Sequence, residues 1–243
     1  MTNTNGSPST RPRLLIEEWL PIAEIGIESL RERTPMTPFP APNRLHVWWA
    51  RRPLVASRAA ILASLLPADA DREKFLHVLG IHGDPVASRQ RIDEARRRGE
   101  RFEGQAYTYK RAFTYTPSPE ESRWLTEEHS KLGYTDVPTV LDPTAGGGSI
   151  PFEASRAGLH SIGNDLNPVA WLILKATIEF PAKFGEPLVK RFQTLAAEFI
   201  KRRDAKLEPF FPSEPLPNSV ATNWIWARTV HCPYCGGLVP LSP

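Results

Sequence analysis

Long apolar runs are missing from this sequence. Across its 243 residues no stretch approaches the roughly 18 consecutive apolar residues that a bilayer-spanning helix needs, so no membrane association is expected. Cysteine is almost absent. The only two, Cys232 and Cys235, sit in one Cys-x-x-Cys, which excludes a disulfide framework and makes a reducing, cytoplasmic setting the default. An apolar core of the kind a secretory leader needs is missing from Met1 to Pro12, which is rich in Ser, Thr, Asn and Pro and is expected to be a disordered lead-in. No internal repeat is present. Charge of one sign is not in marked excess, since a net +3 is too mild to argue for nucleic acid by itself. Proline is what abounds: 25 prolines punctuate the chain and confine long helices to a few stretches. A hydrophobic share of 41% and a charged share of 23% are those of a globular protein, at a length suited to one substantial domain with attachments.

Arg13 to Arg33 reads as helix, with Leu14, Leu15, Trp19, Leu20, Ile22, Ile25 and Leu30 near a 3.6-residue period. Pro21 should kink or split it. A Pro-rich connector, Pro35 to Pro42, leads to Asn43-Arg44-Leu45-His46 and Trp48-Trp49-Ala50-Arg51-Arg52-Pro53. Leu54 to Leu66 is Ala- and Leu-rich helix, stopped by Pro67. Residues 89–111 carry eight Lys/Arg against four acids, and the Arg96-Arg97-Arg98 run is either a DNA-contacting arm or a solvated helix face. Pro117 to Leu132 is a further helix, with Ser118 as N-cap, Pro119 at the first position and Glu120 and Glu121 in the first turn.

The pattern then changes. Thr139-Val140-Leu141 is a short buried-type strand running into Asp142 and the glycines. Ser149 to Arg156 follows as helix with Gly158 past its end, and His160 to Leu166 is a second strand. Asn167 and Pro168 open an apolar helix, Val169 to Phe180. Strand, glycine loop, helix, strand, helix is the start of a doubly wound α/β domain. Leu188 to Lys206 is amphipathic helix. A second Pro-rich stretch, Pro209 to Pro217, separates it from Trp224-Ile225-Trp226 and the Cys-x-x-Cys tail. The tail's apolar set (Val230, Leu238, Val239) is too small to order it unaided, so mobility is expected there.

The glycine loop carries the chemistry. Glycines between a strand and a helix let a ligand approach backbone N–H groups that side chains would shield. A phosphate-binding P-loop needs Lys and then Ser/Thr after its last glycine, whereas Gly148 is followed by Ser149-Ile150-Pro151. The dinucleotide pattern G-x-G-x-x-G is absent as well. Asp142, at the strand end, would repel a pyrophosphate but suits a ligand bearing an ammonium or sulfonium group, and S-adenosylmethionine bears both. Asp165 ends the next strand 23 residues on, placed to accept both hydroxyls of a ribose.

Leu141-Asp142-Pro143-Thr144-Ala145-Gly146-Gly147-Gly148-Ser149, followed by Asn164-Asp165-Leu166-Asn167-Pro168, resembles the first two motifs of DNA amino-methyltransferases. Leu14 to Pro67, with Asn43-Arg44-Leu45-His46 and Trp48-Trp49-Ala50-Arg51-Arg52-Pro53, resembles the N-terminal domain of adenine-specific DNA methylases that contain a zinc ribbon. The likeness runs from Leu14 to the Cys-x-x-Cys. It implies an α/β fold: a partial Rossmann-like S-adenosylmethionine-dependent methyltransferase core behind a mainly helical N-terminal domain. The implied divisions are 1–12, 13–135 (helical domain), 136–208 (start of the core) and 209–243 (linker and half ribbon). Implied cofactor contacts are Asp142, Pro143, Thr144, Ala145, Gly146, Gly147, Gly148, Asp165 and Leu166. DNA is the implied partner, with other subunits of a restriction-modification or phage-defence system beside it. Phe113-Thr114-Tyr115-Thr116-Pro117 weakly resembles a segment that borders the methionine end of the cofactor in some adenine methylases.

One departure is informative. Enzymes that methylate an exocyclic amine hold it with an Asp, Asn or Ser followed by two prolines and an aromatic residue, whose ring stacks on the flipped base. This sequence has no such tetrapeptide; Asn167-Pro168-Val169-Ala170 is the nearest string. No catalytic residue is therefore assigned. The chain is expected to be the N-terminal piece of a longer enzyme, inactive alone, or a non-catalytic nucleic-acid-binding or scaffolding copy of the fold. An RNA or protein amine methyltransferase would use the same cofactor motifs. Cys232-Pro233-Tyr234-Cys235-Gly236-Gly237 reads as half of a zinc ribbon, since structural zinc takes four ligands and no second pair is evident. Trp48 and Trp49 either stack on bases, with Arg51 and Arg52 on phosphates, or pack a helix against its neighbour.

Overall fold

The computed structural model describes residues 12–34, 38–211, 218–219 and 221–241. The disordered lead-in expected over 1–12 falls almost wholly outside them, as do parts of both Pro-rich connectors. Two compact units divide the chain at 188/189.

The first unit begins with α1 (Leu15–Glu18) and α2 (Ile22–Arg33), the expected single helix split at Trp19–Pro21. Pro21 has no N–H to continue the ladder of α1. Leu14 pairs with Pro67 as an isolated bridge, and Leu15 N–H donates to Leu66 O (2.8 Å), which pins the start of the chain to the far end of α4 (Leu54–Ala63). Before α4 comes the short α3 (Pro42–Leu45). α4 is buried almost all round. Leu54, Val55, Ala59 and Leu62 face the main core with Leu15, Phe75, Leu79, Phe113 and Leu125. Ile61 turns to a second cluster with Ala154 and Leu159, which Leu65, Val140 and Ile150 flank. A helix buried on nearly every side belongs at the centre of a fold.

α5 (Arg72–Val78) and α6 (Pro85–Arg97) follow, each opened by an aspartate. Asp71 caps through Glu73 N–H and Lys74 N–H, and Asp84 through Ala87 N–H. Such caps satisfy the unpaired first-turn donors of a helix. Arg96 and Arg97 stand exposed in the last turn of α6, and Arg98 follows at its C-cap. α7 (Pro119–Lys131) opens with the expected Ser118, whose Oγ accepts from Glu121 N–H while Glu121 Oε2 accepts from Ser118 N–H (2.7 Å). That reciprocal pair is a capping box.

β1 (Thr139–Asp142), α8 (Ser149–Arg156) and β2 (His160–Gly163) make a parallel strand–helix–strand unit, with Thr139 opposite His160 and Asp142 opposite Gly163. One face of this ribbon packs through Val140 on the second cluster. On the other, the paired Leu141 and Ile162 are 64% and 56% exposed. The helix expected over 169–180 is interrupted: α9 (Pro168–Leu174) passes through a π turn, Lys175–Glu179, into α10 (Phe180–Phe184). Phe180 N–H reaches back to Lys175 O, five residues away, and Pro181 lacks the N–H that would restore the four-residue spacing.

α11 (Pro187–Leu207) is long and amphipathic, as its sequence pattern requires. In the second unit, β3 (Arg228–His231) and β4 (Leu238–Leu241) pair antiparallel around the Cys-x-x-Cys turn. The tail thus forms a hairpin rather than a featureless chain. Its ladder bonds are local, and its side chains stay exposed, in keeping with the small apolar set.

Candidate functional site

Backbone bonds to Asn164 shape the glycine loop. Asp142 O accepts from Asn164 N–H, and Ala145 N–H donates to Asn164 O, both at 2.9 Å, so the loop after β1 is stitched to the end of β2. Asp142 is buried, and its Oδ1 accepts from Thr144 N–H (3.2 Å). Gly148 caps α8 in the left-handed region (φ 77°), a conformation that only glycine adopts without strain.

Asp165 closes the loop from the other strand. Its Oδ2 accepts from Gly146 N–H and its Oδ1 from Asn167 N–H, both at 2.8 Å. These N–H groups hold its carboxyl below the ordinary range. Asn167 then caps α9 through Val169 N–H (2.9 Å). Asp165 therefore also has a structural role, closing the turn before α9. It leaves acceptor capacity, because a carboxylate has about four lone-pair sites and two are used here.

What reaches the glycines most closely is a side chain of this same protein. A Cβ on Gly146 would stand 2.7 Å from Trp48 Nε1, and one on Gly147 would stand 2.8 Å from Trp48 Cβ. Trp48 belongs to a tight turn that Arg51 N–H closes onto Trp48 O (3.3 Å). Ser149 Oγ donates to Arg52 O (2.8 Å) and fastens the turn to the first residue of α8. Glu32 of α2 fixes the other side: its buried carboxylate accepts from Leu54 N–H and Val55 N–H, capping α4 immediately after Arg52-Pro53. Burial drives the Glu32 carboxyl above its ordinary value, against the pull of those N–H groups and of Arg51.

Together these pieces border an open cavity of about 320 Å³, lined by Trp48, Trp49, Ala50, Arg51, Arg52, Asp142, Thr144, Ala145, Gly146, Gly147, Ser149, Ile150 and Asp165. Of the expected contacts, Asp142, Thr144, Ala145, Gly146, Gly147 and Asp165 meet here. Pro143, Gly148 and Leu166 do not line it; Leu166 is 99% exposed and Gly148 faces Leu174 and Ile178. Spacing alone gave no signal that Trp48 to Arg52, about a hundred residues upstream, would share the site. Tyr115 lies outside it: its hydroxyl donates to Glu121 (2.6 Å) and its carbonyl accepts from Arg58 (2.8 Å).

In the second unit Cys232 N–H donates to Gly237 O (2.8 Å) and Gly236 N–H to Cys232 O (2.9 Å), with Gly236 left-handed at φ 72°. The N–H groups of Tyr234 and Cys235 point at Cys232 and lower its thiol pKa. His231 Nδ1 is turned to Gly236 O (3.1 Å). Among the described residues no group of three or more His, Cys, Asp or Glu side chains is placed to hold a metal. No helix among them is long and apolar enough to cross a membrane.

No curated protein and no solved structure matches this chain. A family model described as "Protein of unknown function (DUF1156)" matches residues 19–84, a segment that holds α2, α4, α5 and the Trp48–Arg52 turn.

Proposed function

We propose that this chain carries the cofactor-binding part of an S-adenosylmethionine-dependent adenine-specific DNA methyltransferase, on a partial Rossmann-like α/β core, acting in the cytoplasm. The observation that supports it best is the meeting of Asp142 and Asp165, from the ends of adjacent parallel strands, with the glycine loop around one cavity. Ligands of open α/β sheets bind beyond the carboxyl ends of the strands. Two carboxylates there disfavour a pyrophosphate and favour a cationic ligand.

The cofactor supplies a methyl group on a sulfonium. The chain's residues bind and orient it. The two free acceptor positions on Asp165 suit the two hydroxyls of a ribose, and Asp142 offers its remaining lone pairs to a cationic or N–H donor. The two thiols of the hairpin turn would serve as half of a structural zinc site.

The test is calorimetric titration of S-adenosylmethionine into the 243-residue chain and its Asp165→Ala variant. Loss of charge-assisted hydrogen bonds predicts roughly a ten- to hundredfold weaker affinity in the variant. Equal affinities would remove Asp165 from the site, and an absence of binding by the unaltered chain would remove the reading altogether.

A further inference from the structure

The cavity holds a charge pattern that the two aspartates do not explain. Arg51 and Arg52 line it as well, and neither guanidinium has a hydrogen-bond or ion-pair partner among the described residues. Glu32 feels the charge of Arg51 but gives its own oxygens to Leu54 and Val55. Two acids and two unpaired arginines around about 320 Å³ form a site of mixed sign. A purely cationic ligand would meet the arginines unfavourably, and a phosphate ligand would meet the aspartates. A ligand that carries a cation and a carboxylate together satisfies both sets.

We propose that the Trp48–Arg52 turn is a wall of the ligand site, and that Arg51 and Arg52 hold the carboxylate of the ligand's α-amino-acid end. This rests on the cofactor reading given above. The turn is built for a fixed placement. Its own 48–51 hydrogen bond, the Ser149–Arg52 bond and the close seat of Trp48 on Gly146 and Gly147 restrain it at three points. Arginine suits the task, because its planar fork meets a carboxylate through two parallel N–H···O bonds. The segment that the family model matches and the glycine loop then form one site rather than two neighbouring modules.

Two nucleosides separate the claims. S-adenosylhomocysteine keeps the α-amino-acid end, and 5′-methylthioadenosine lacks it while keeping the ribose and base. Both are titrated by calorimetry into the full chain and into Arg51→Gln/Arg52→Gln. The double substitution is expected to weaken S-adenosylhomocysteine about tenfold or more, as for a lost charge-assisted pair, and to leave 5′-methylthioadenosine within about twofold. Arg51→Lys/Arg52→Lys should restore part of the loss, since the charge returns without the fork. Equal loss for both nucleosides would mean a merely structural turn and would overturn the proposal. So would unchanged nucleoside binding with weakened duplex DNA binding, which would assign the arginines to phosphates. If the unaltered chain binds 5′-methylthioadenosine and S-adenosylhomocysteine equally well, the cofactor reading stands and the carboxylate clamp falls. If it binds neither, both fall.

Discussion

Gly147 is the most informative single residue in the loop. Gly146 and Gly148 have positive φ (52° and 77°), so a side chain there strains the backbone whatever surrounds it. Gly147 lies outside that region, and its constraint is contact: an added Cβ meets Trp48 Cβ at 2.8 Å, next to the backbone, where no rotamer change relieves it. Gly147→Ala should therefore displace the Trp48 turn and cost about 1–3 kcal/mol, the usual range for overpacking. The cost should shrink in a Trp48→Gly background, and a double-mutant cycle followed by chemical denaturation measures that coupling. Additive effects would show that Trp48 does not rest on the loop. At this scale the sequence told half the story. It marked the glycines as a place of close approach and set Asp142 and Asp165 beside them, and both acids line the same cavity as the loop. It could not show that a tryptophan makes the approach, because chain proximity between positions 48 and 147 has no local signature.

At the scale of single elements, caps and prolines made the chain readable. Ser118-Pro119 with Glu121 marked α7, Asn167-Pro168 marked α9, and Pro21 split the first helix where it stands. α5 was not marked, because it is seven residues long and shows too few turns for a period to emerge. The π turn at 175–179 was hidden because Ala176 and Ile178 carry no signal of a changed helical spacing, and only Pro181 hints at the break. The cap of α7 also carries a pH signature. Burial raises the Glu121 carboxyl, but donors from Tyr115, His77 and the Ser118 N–H outweigh it and leave the group below its ordinary value of 4.5. Tyr115, on the other side of that bond, is pushed up to about 12 by burial and by Glu121. A depressed carboxyl contributes stability above its unfolded value and loses it as pH falls through the folded one. Glu121→Gln should thus cost about 1 kcal/mol at neutral pH, as for a typical hydrogen bond to a charged group partly open to water. The gap from the unaltered protein should close below pH 4.5, and thermal unfolding across a pH series reads it. A gap independent of pH would mean that the Glu121 charge does not matter.

Over the whole molecule, the second unit invites a test of metal. Two thiolates leave two positions of a tetrahedral zinc to water and remove much of the chelate advantage of a four-ligand site. The isolated chain is expected to lose zinc on dialysis against a mild chelator, as metal per chain would record. Retention of one zinc per monomer would mean that another side chain, such as His231, turns from Gly236 to complete the site.

The first unit raises the question of why a helical segment and a strand–helix–strand unit form one body. Apolar contact between α4 and α8 answers part of it, through Ile61 and Ala154. The rest is ionic, centred on the buried Arg58 and Glu153. Arg58 of α4 gives its Nε to Glu153 of α8 (2.6 Å), and its other nitrogens to Leu79 O, Ala112 O and Tyr115 O. Glu153 also takes Arg156 Nη1 (2.8 Å), and Arg156 reaches Phe113 O, Tyr115 O and Thr116. Arg58 and Glu153 are each 1% exposed, so removing Glu153 leaves Arg58 a buried charge without its counter-ion, whereas removing Arg58 leaves Glu153 with Arg156 alone. Such a loss costs about 3–5 kcal/mol, whereas replacing both charges by apolar side chains of similar size is often close to neutral. Glu153→Leu should destabilise strongly because Arg58 is stranded, and Arg58→Met/Glu153→Leu should be more stable than Glu153→Leu alone. Because the network joins both helices, native-state hydrogen exchange should show the amides of α4 and α8 losing protection together in Glu153→Leu. If α8 loosens while α4 keeps its protection, the helical segment and the glycine-loop unit fold separately, and the turn that walls the cavity is held by contacts other than this ion network.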